Sequence, residues 1–340
     1  YYSPALKVTN CTVDGTTING AAYVGGVIGY ASTKIELNNN TVKNLTLNGT
    51  ASVGGVAGIM LAGGSASGNA VEKVQLSATG DMWANSIGLV AGTITTGSVT
   101  VAGTIAVDCA VTDLIGGILV EKPTSPIEKI QVQLGDSYFT TLDAAIKAAK
   151  TGDTIKLLAN VGTDAAIVVN KELTVDLNGK TIAATENDKV GDGVFCVVAG
   201  GELTINDSVG NGVINGVGDN DYNIAIWANG GKVIINGGNF TNVGATDKTD
   251  PNAHFDLIYA KNGGEVIING GSFECETPEF TLNSHDTNKG NITVNGGTFV
   301  GFDPRNNAAE TAGTTFMAVG KYTFAEGGNY IVVTPEDYIL

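Results

Sequence analysis

The sequence predicts an all-β chain, a β-solenoid with one capping α-helix, preceded by a Gly-rich β-repeat segment. Three observations predict it. First, Val-Ile-Ile-Asn-Gly-Gly-Asn-Phe, Val-Ile-Ile-Asn-Gly-Gly-Ser-Phe and Ile-Thr-Val-Asn-Gly-Gly-Thr-Phe end at Phe240, Phe273 and Phe299. Their asparagines, Asn236, Asn269 and Asn295, are 33 and 26 residues apart, so a strand, a tight turn and a second strand recur. Second, a different Gly-rich phrase repeats over residues 1 to about 120. Third, only one stretch, beginning near Thr140, has helical periodicity.

Composition supports short strands and turns. The chain has 340 residues, 48 of them Gly, and only 15% are charged. Low charge with abundant Gly, Val, Thr and Asn disfavours helix. A hydrophobic fraction of 43% excludes a disordered chain. The net charge is −16 and Arg305 is the one arginine, so nucleic acid and anionic membranes are excluded as partners. Cations, neutral sugars and protein surfaces stay open. The apolar run Val53 to Gly64 is too short and too Gly-rich for a transmembrane helix. The chain starts at Tyr1 without an initiator Met or a signal segment, and is expected to be a mature or trimmed part of something longer.

The N-terminal phrases are Val-Gly-Gly-Val-Ile-Gly from Val24, Val-Gly-Gly-Val-Ala-Gly from Val53, Ile-Gly-Leu-Val-Ala-Gly from Ile87 and Ile-Gly-Gly-Ile-Leu from Ile115. Their first glycines, Gly25, Gly54, Gly88 and Gly116, are 29, 34 and 28 residues apart. Alternating strands such as Ile35-Glu36-Leu37 and Leu45-Thr46-Leu47 lie between them. Paired glycines let neighbouring coils approach closely or turn sharply. The segment resembles the GLUG repeat of bacterial surface proteins. Residues 121–130, with two prolines and four charges, read as a linker between a 1–120 repeat domain and a 131–340 domain.

A helix is expected next, with Thr140 as cap and Asp143 as its capping-box partner. Leu142, Ala145, Ile146 and Ala149 form its apolar stripe, and Gly152 stops it. The phrase TTLDAAIKAAKTGDTIKLL resembles the entry segment of the pectin-lyase-like right-handed parallel β-helix superfamily. That resemblance implies a helix closing the end of the solenoid and Gly-Asp-Thr-Ile leading into the first coil. A cap is needed because a bare end exposes unpaired strand edges and apolar core.

The coils align by eye. Leu173, Leu203, Val233, Val266 and Ile292 form one interior column; Val175, Ile205, Ile235, Ile268 and Val294 form a second two residues on. Asp176, Asn206, Asn236, Asn269 and Asn295 follow as a ladder at a turn, expected to adopt left-handed backbone and to bond amide to amide. Ile182, Ile214, Phe240, Phe273 and Phe299 form a further interior column. Glu172, Glu202, Lys232 and Glu265 should line up outside, and Ile234 and Ile267 should also point outward. Cys11, Cys109, Cys196 and Cys275 lack any CxxC spacing, which disfavours zinc, and are expected to be buried free thiols.

Chemistry is expected in the loops between coils. The richest are Asp219-Asn220-Asp221-Tyr222-Asn223 and the stretch holding Asp247, Asp250, His254 and Asp256, both leading into the same column of strands. Trp227 and Tyr259 nearby could stack on sugar rings. Asp219 and Asp221 open like an EF-hand loop, but Ile224 and Gly230 stand where that loop needs Gly and Glu, leaving calcium only a looser carboxylate site. Ser284-His285-Asp286 is contiguous, which is not how a catalytic triad is assembled. The Gly-His-Gly and Arg-Ile-Lys phrases of polygalacturonases do not occur. The expected function is a secreted or surface-attached, bacterial, adhesin-like or carbohydrate-binding protein without catalysis, its partner a glycan or a surface protein. A polysaccharide lyase or glycoside hydrolase using the acidic loops is the first alternative, and a structural stalk the second.

Overall fold

The computed structural model describes residues 6–60, 63–79, 86–94, 100–102, 105–111, 128–185, 193–217, 223–247, 250 and 252–334. Both of its compact units are parallel β-solenoids. One comprises 1–131 with 136–140, and the other 132–135 with 141–340.

In the first unit, strands such as Leu6–Thr9, Ile35–Asn38, Ser65–Ser67 and Thr100–Ala102 pair in parallel, coil upon coil. Ile35, Leu37, Leu45 and Leu47 are buried while Glu36 and Thr46 stay half-exposed, the expected alternation. Strands Tyr23–Gly25, Ser52–Gly54 and Ser86–Gly88 put Gly25, Gly54 and Gly88 in register. The fourth phrase, with Gly116, lies outside the described residues. These glycines serve space, not backbone freedom. A Cβ on Gly54 would sit 1.7 Å from the Ala57 carbonyl oxygen and 2.6 Å from the Gly92 nitrogen. Adjacent short strands of one coil therefore touch backbone to backbone, and no side chain fits between them. Bending falls instead to a left-handed residue at Asn10, Asn39 and Gly68, with φ of 59°, 58° and 65°. Buried Asn40 and Asn69 follow: the Asn69 Oδ1 accepts from the Asn40 backbone nitrogen at 3.0 Å and from its Nδ2 at 3.1 Å. Glu128–Lys129, inside the segment read as a linker, pairs with Ala110–Val111.

Cys11 departs from expectation. It occupies the position of Asn40 and Asn69 in the first coil and is exposed. Cys109, by contrast, fills the core place held by Val74 and Leu45 in earlier coils. Cys11 and Cys109 therefore belong to different columns. Cys196 and Cys275 are buried as expected.

The second unit has three parallel sheets. The first runs through Asp153–Leu157, Glu172–Asp176, Glu202–Asn206, Lys232–Ile235, Glu265–Ile268 and Asn291–Val294. Its register aligns Leu173, Leu203, Val233, Val266 and Ile292, and likewise the second interior column. The second sheet aligns Ile182, Ile214, Phe240, Phe273 and Phe299. Phe240 and Phe273 stack at 5.0 Å between ring centroids, and Phe273 and Phe299 at 4.9 Å. The outer charged column also forms: the Lys232 Nζ lies 3.2 Å from Glu202. Ile234 and Ile267 pair on the outer face, half-buried.

The asparagine ladder exists, but not with the backbone expected. Asn236 donates to Asn206 at 2.9 Å, Asn269 to Asn236 at 2.9 Å and Asn295 to Asn269 at 3.0 Å. None of these residues is left-handed; the positive φ falls on Gly238, Gly271 and Gly297, at 96°, 102° and 109°. Glycine, without a Cβ, takes that conformation at no steric cost.

The helix is Leu142–Ala148, with Leu142, Ala145 and Ile146 buried. Its cap is Thr141 rather than Thr140: the Thr141 Oγ1 accepts from the Ala144 nitrogen at 3.2 Å. Asp143 makes no capping box and instead pairs with Lys147 at 2.6 Å. The Lys171 Nζ donates to the carbonyls of Ile146 and Ala149, which a helix C-terminus leaves unpaired. Val132–Leu134 runs antiparallel to Asp153–Leu157 and closes the edge of the first sheet. At the other end, Asn329–Val333 and Tyr322–Glu326 finish the second sheet as an antiparallel hairpin.

Gly54→Ala should unpack the first unit, so that hydrogen exchange accelerates across 23–60 but not across 172–300; Phe273→Ala should cost about 3–5 kcal/mol in denaturant unfolding by emptying the ring column. In native protein only Cys11 should react quickly with an aromatic disulfide reagent, and all four thiols after denaturation. Burial pushes the Cys275 thiol up to about 12, which leaves almost no thiolate to react.

Candidate functional site

The third sheet of the second unit, Ile167–Val169, Phe195–Val198, Ile226–Asn229, Ile258–Lys261 and Leu282–Ser284, carries the site. Alternation buries Phe195, Ile226, Ile258 and Leu282 inward. The outward row is Val168, Cys196, Trp227, Tyr259 and Asn283, in register. Only Val168 at its start is open, at 52% exposed; Cys196 is buried, Trp227 half-buried, and Tyr259 and Asn283 are 8% and 1% exposed.

Glu310 meets the end of this row. The turn that presents it is fixed by Asn307, whose Nδ2 donates to the Glu310 carbonyl and to Thr311 Oγ1. The segment is held further by bonds from Asn307 to Thr314 and from Phe316 to Pro304. The Glu310 Oε2 accepts from Asn283 Nδ2 at 3.0 Å and from the Tyr259 hydroxyl at 3.4 Å. The same Asn283 Nδ2 donates to Asp256 Oδ1 at 2.8 Å. One amide thus holds two carboxylates together. Burial pushes Asp256 up to about 7, the Glu310 charge adds to the rise, and the Asn283 bond opposes it.

His285 and Asp286 adjoin. Ligand atoms of His285, Asp286 and Glu310 lie within 4.8 Å of one another. The backbone nitrogens of Thr287 and Asn288 both donate to His285 Nδ1 at 3.1 Å. The lone pair of Nδ1 is therefore occupied, and the neutral ring carries its proton on Nε2. Ser284 donates to the Gly290 carbonyl, not to His285, so Ser284-His285-Asp286 does not form a triad. Two of the buried polar atoms that lack a partner among the described residues lie on this row: Asn283 Oδ1 and Trp227 Nε1.

A cavity of about 390 Å³ opens in the long loop between Asn239–Thr241 and Ile258–Lys261. Thr246, Asp247, Asp250, Phe255, Glu276 and Thr277 line it. Its walls are pinned by backbone bonds: Gly244 donates to Glu276 at 2.7 Å, and Asp250 to Asp247 at 3.1 Å. Buried Asn242 ties the loop to its neighbours, donating to the carbonyls of Asn223 and Asp256 and accepting from the Glu276 nitrogen.

The sequence-predicted site residues divide. Asp219, Asp221 and Tyr222 lie outside the described residues. Asp247 and Asp250 line the cavity, while Asp256 joins the carboxylate pair. Tyr259 is not an open sugar platform, because it is buried with its hydroxyl directed to Glu310. Trp227 is half-buried, tilted against Tyr259 at 6.0 Å. The exposed flat ring is His254, which stacks on Phe280 at 4.8 Å. Sequence reasoning missed Asn283, Glu276 and Glu310. Asn283 could have been found by extending the Trp227–Tyr259 column one coil; Glu310, in an irregular segment, left no periodic signal.

Arg305 is bound to Asp303, its Nε 3.0 Å from each carboxylate oxygen, and so offers no free cation to a substrate. No known protein family, curated protein or solved structure matches this chain.

Asp256 gives the site a pH signature. The native carboxyl binds its proton up to about pH 7, whereas the unfolded one releases it near 3.8. Between those values the folded state holds the extra proton, so stability falls as pH rises and levels off above 7. Asp256→Asn removes this loss. The variant should gain about 1–3 kcal/mol over wild type at pH 8 relative to pH 4. Urea unfolding at both pH values measures it.

Proposed function

We propose that this chain is a secreted or surface-attached, adhesin-like β-solenoid that binds a neutral glycan without turning it over. The cavity lined by Asp247, Asp250 and Glu276 over Phe255 carries this reading. Its volume of about 390 Å³ suits one or two sugar rings. Carboxylates accept hydrogen bonds from sugar hydroxyls, and Thr246 and Thr277 can donate or accept. Three acids repel uronates and sulfated sugars, so the ligand is neutral or amino-substituted. The exposed His254 ring next to it in sequence offers a stacking surface. Kinship with GLUG-repeat surface proteins and with pectin-lyase-like β-helices belongs to the same proposal. It is supported by the in-register Gly phrases and by the helix leading into Asp153–Leu157.

A glycosidase or lyase is the second reading, and one observation favours it. Asp256 and Glu310 share one nitrogen, and paired carboxylates about 5–5.5 Å apart serve retaining hydrolases. Tyr259 and Asn283 already occupy oxygens of this pair, which weighs toward a structural role.

A glycan array followed by titration separates the readings. Neutral glycans should bind and acidic ones should not. Asp247→Ala and Glu276→Ala should each weaken binding by about 10–100-fold, the loss of a charge-assisted hydrogen bond. No reducing ends or unsaturated products should form. Turnover that disappears in Glu310→Gln would establish the enzyme instead.

A further inference from the structure

We propose that the 305–315 loop is a pH-gated strap: Glu310 latches it to the outer face of the third sheet, and ionisation of Asp256 beside Glu310 releases it. The strap is separate from the glycan cavity and does not depend on that reading.

The geometry is that of a loop tied down at one point. Its base is closed where the Phe316 nitrogen donates to the Pro304 carbonyl at 2.9 Å, and buried Phe302 and Phe316 anchor its two ends. Its own turn is closed by bonds from Asn307 to Thr314 and from Gly313 to Asn307. Apart from bonds to the residues flanking it, its hydrogen bonds to the rest of the chain, among the described residues, are the two that Glu310 Oε2 accepts from Asn283 and Tyr259. A cleft of about 160 Å³, lined by Thr311, Thr314 and Thr315 of this segment and by Ser284, Lys289 and Asn291, leaves the rest of the strap without solid packing.

The tie sits against a second carboxylate. Asp256 Oδ1 and Glu310 Oε2 lie 2.8 and 3.0 Å from the same Asn283 nitrogen. Two negative charges so close and shielded from water repel strongly, and one neutral amide does not cancel that repulsion. The other titratable groups around the pair are Tyr259, Cys275 and Glu276, with His285 and Asp286 on the Glu310 side. No lysine or arginine pairs with either carboxylate among the described residues. The Cys275 thiol, pushed up to about 12 by burial, stays neutral. With Asp256 protonated, Glu310 carries the pair's single charge and the strap holds. Docked Asp256 keeps its proton up to about pH 7, whereas a solvated carboxyl releases it near 3.8. Docking is therefore tightest in acid, weakens as pH rises through that window and levels off above 7. Opening uncovers the Tyr259 hydroxyl, the Asn283 amide and both carboxylates.

Hydrogen exchange at pH 5 and pH 8.5, corrected for the direct effect of pH on exchange, tests this. The reporters are the amides of Asn307, Gly313 and Thr314, all bonded within the loop. Their protection should fall about 10–100-fold from pH 5 to pH 8.5, and should lie below that of Ile258–Lys261 at both. Asp256→Asn should keep the pH 5 protection at pH 8.5, and His285→Gln should show the wild-type fall. Glu310→Ala should leave the loop poorly protected at both pH values while Ile258–Lys261 stays protected. Wild-type protection that does not change with pH would overturn the proposal. So would protection equal to that of Ile258–Lys261, because the loop would then open only when the whole unit unfolds. A fall that persists in Asp256→Asn, or one that vanishes in His285→Gln, assigns the trigger elsewhere and also overturns it. Should Asp256→Asn fail to fold, the wild-type comparison and Glu310→Ala still decide, since a loop that stays protected in Glu310→Ala has no latch at Glu310.

Discussion

In-register parallel pairing is the constraint on which the rest of this protein depends. When one coil lies on the next about 4.8 Å away, every residue has its counterpart as a neighbour. A side chain therefore has to suit its own environment and its own copy. Isoleucine, valine and phenylalanine meet that demand by stacking apolar surface, as Phe240, Phe273 and Phe299 do. Asparagine meets it because its amide is both donor and acceptor, so each rung of the ladder supplies what the next lacks. Like charges do not: Lys232 separates Glu202 from Glu265, and where Glu172 does stack on Glu202 it is exposed to solvent.

The two units solve the interior differently. In the second, large side chains fill the space enclosed by three sheets, and aromatic rings occupy one column. In the first, strands approach so closely that Gly54 contacts the backbone of Ala57 in its own coil and of Gly92 in the next. There the repeat is conserved along the chain by exclusion: any Cβ collides. The glycines of the second unit's turns are needed for backbone conformation instead, since Gly238, Gly271 and Gly297 carry the positive φ that the ladder asparagines do not. One residue type thus serves two physical purposes.

The same stacking leaves the outer faces to carry function. A row that begins with exposed Val168 ends at buried Asn283, where one amide bridges Asp256 and Glu310. The cost of desolvating Asp256 is written in its raised pKa of about 7. In the acidic cavity a few residues earlier in the chain, Asp250 and Glu276 are exposed. Two groups of acids from neighbouring loops therefore have different chemistry because they are buried to different depths.

The repeats by themselves determined the strands, the register and the interior columns, because a solenoid's packing partners recur at a readable period. They also placed Asp247, Asp250 and Asp256 in loops leading to one strand column. Only the tertiary structure decided what those loops build. Thr141 capped the helix in place of its neighbour, Cys11 fell on an exposed ladder position, and Tyr259 turned out to be covered. Glu310 reached Asp256 from 54 residues away through a segment with no period at all. Periodicity encodes contacts between copies of one position; contacts between unlike segments depend on how irregular chain folds back, and no repeat records that.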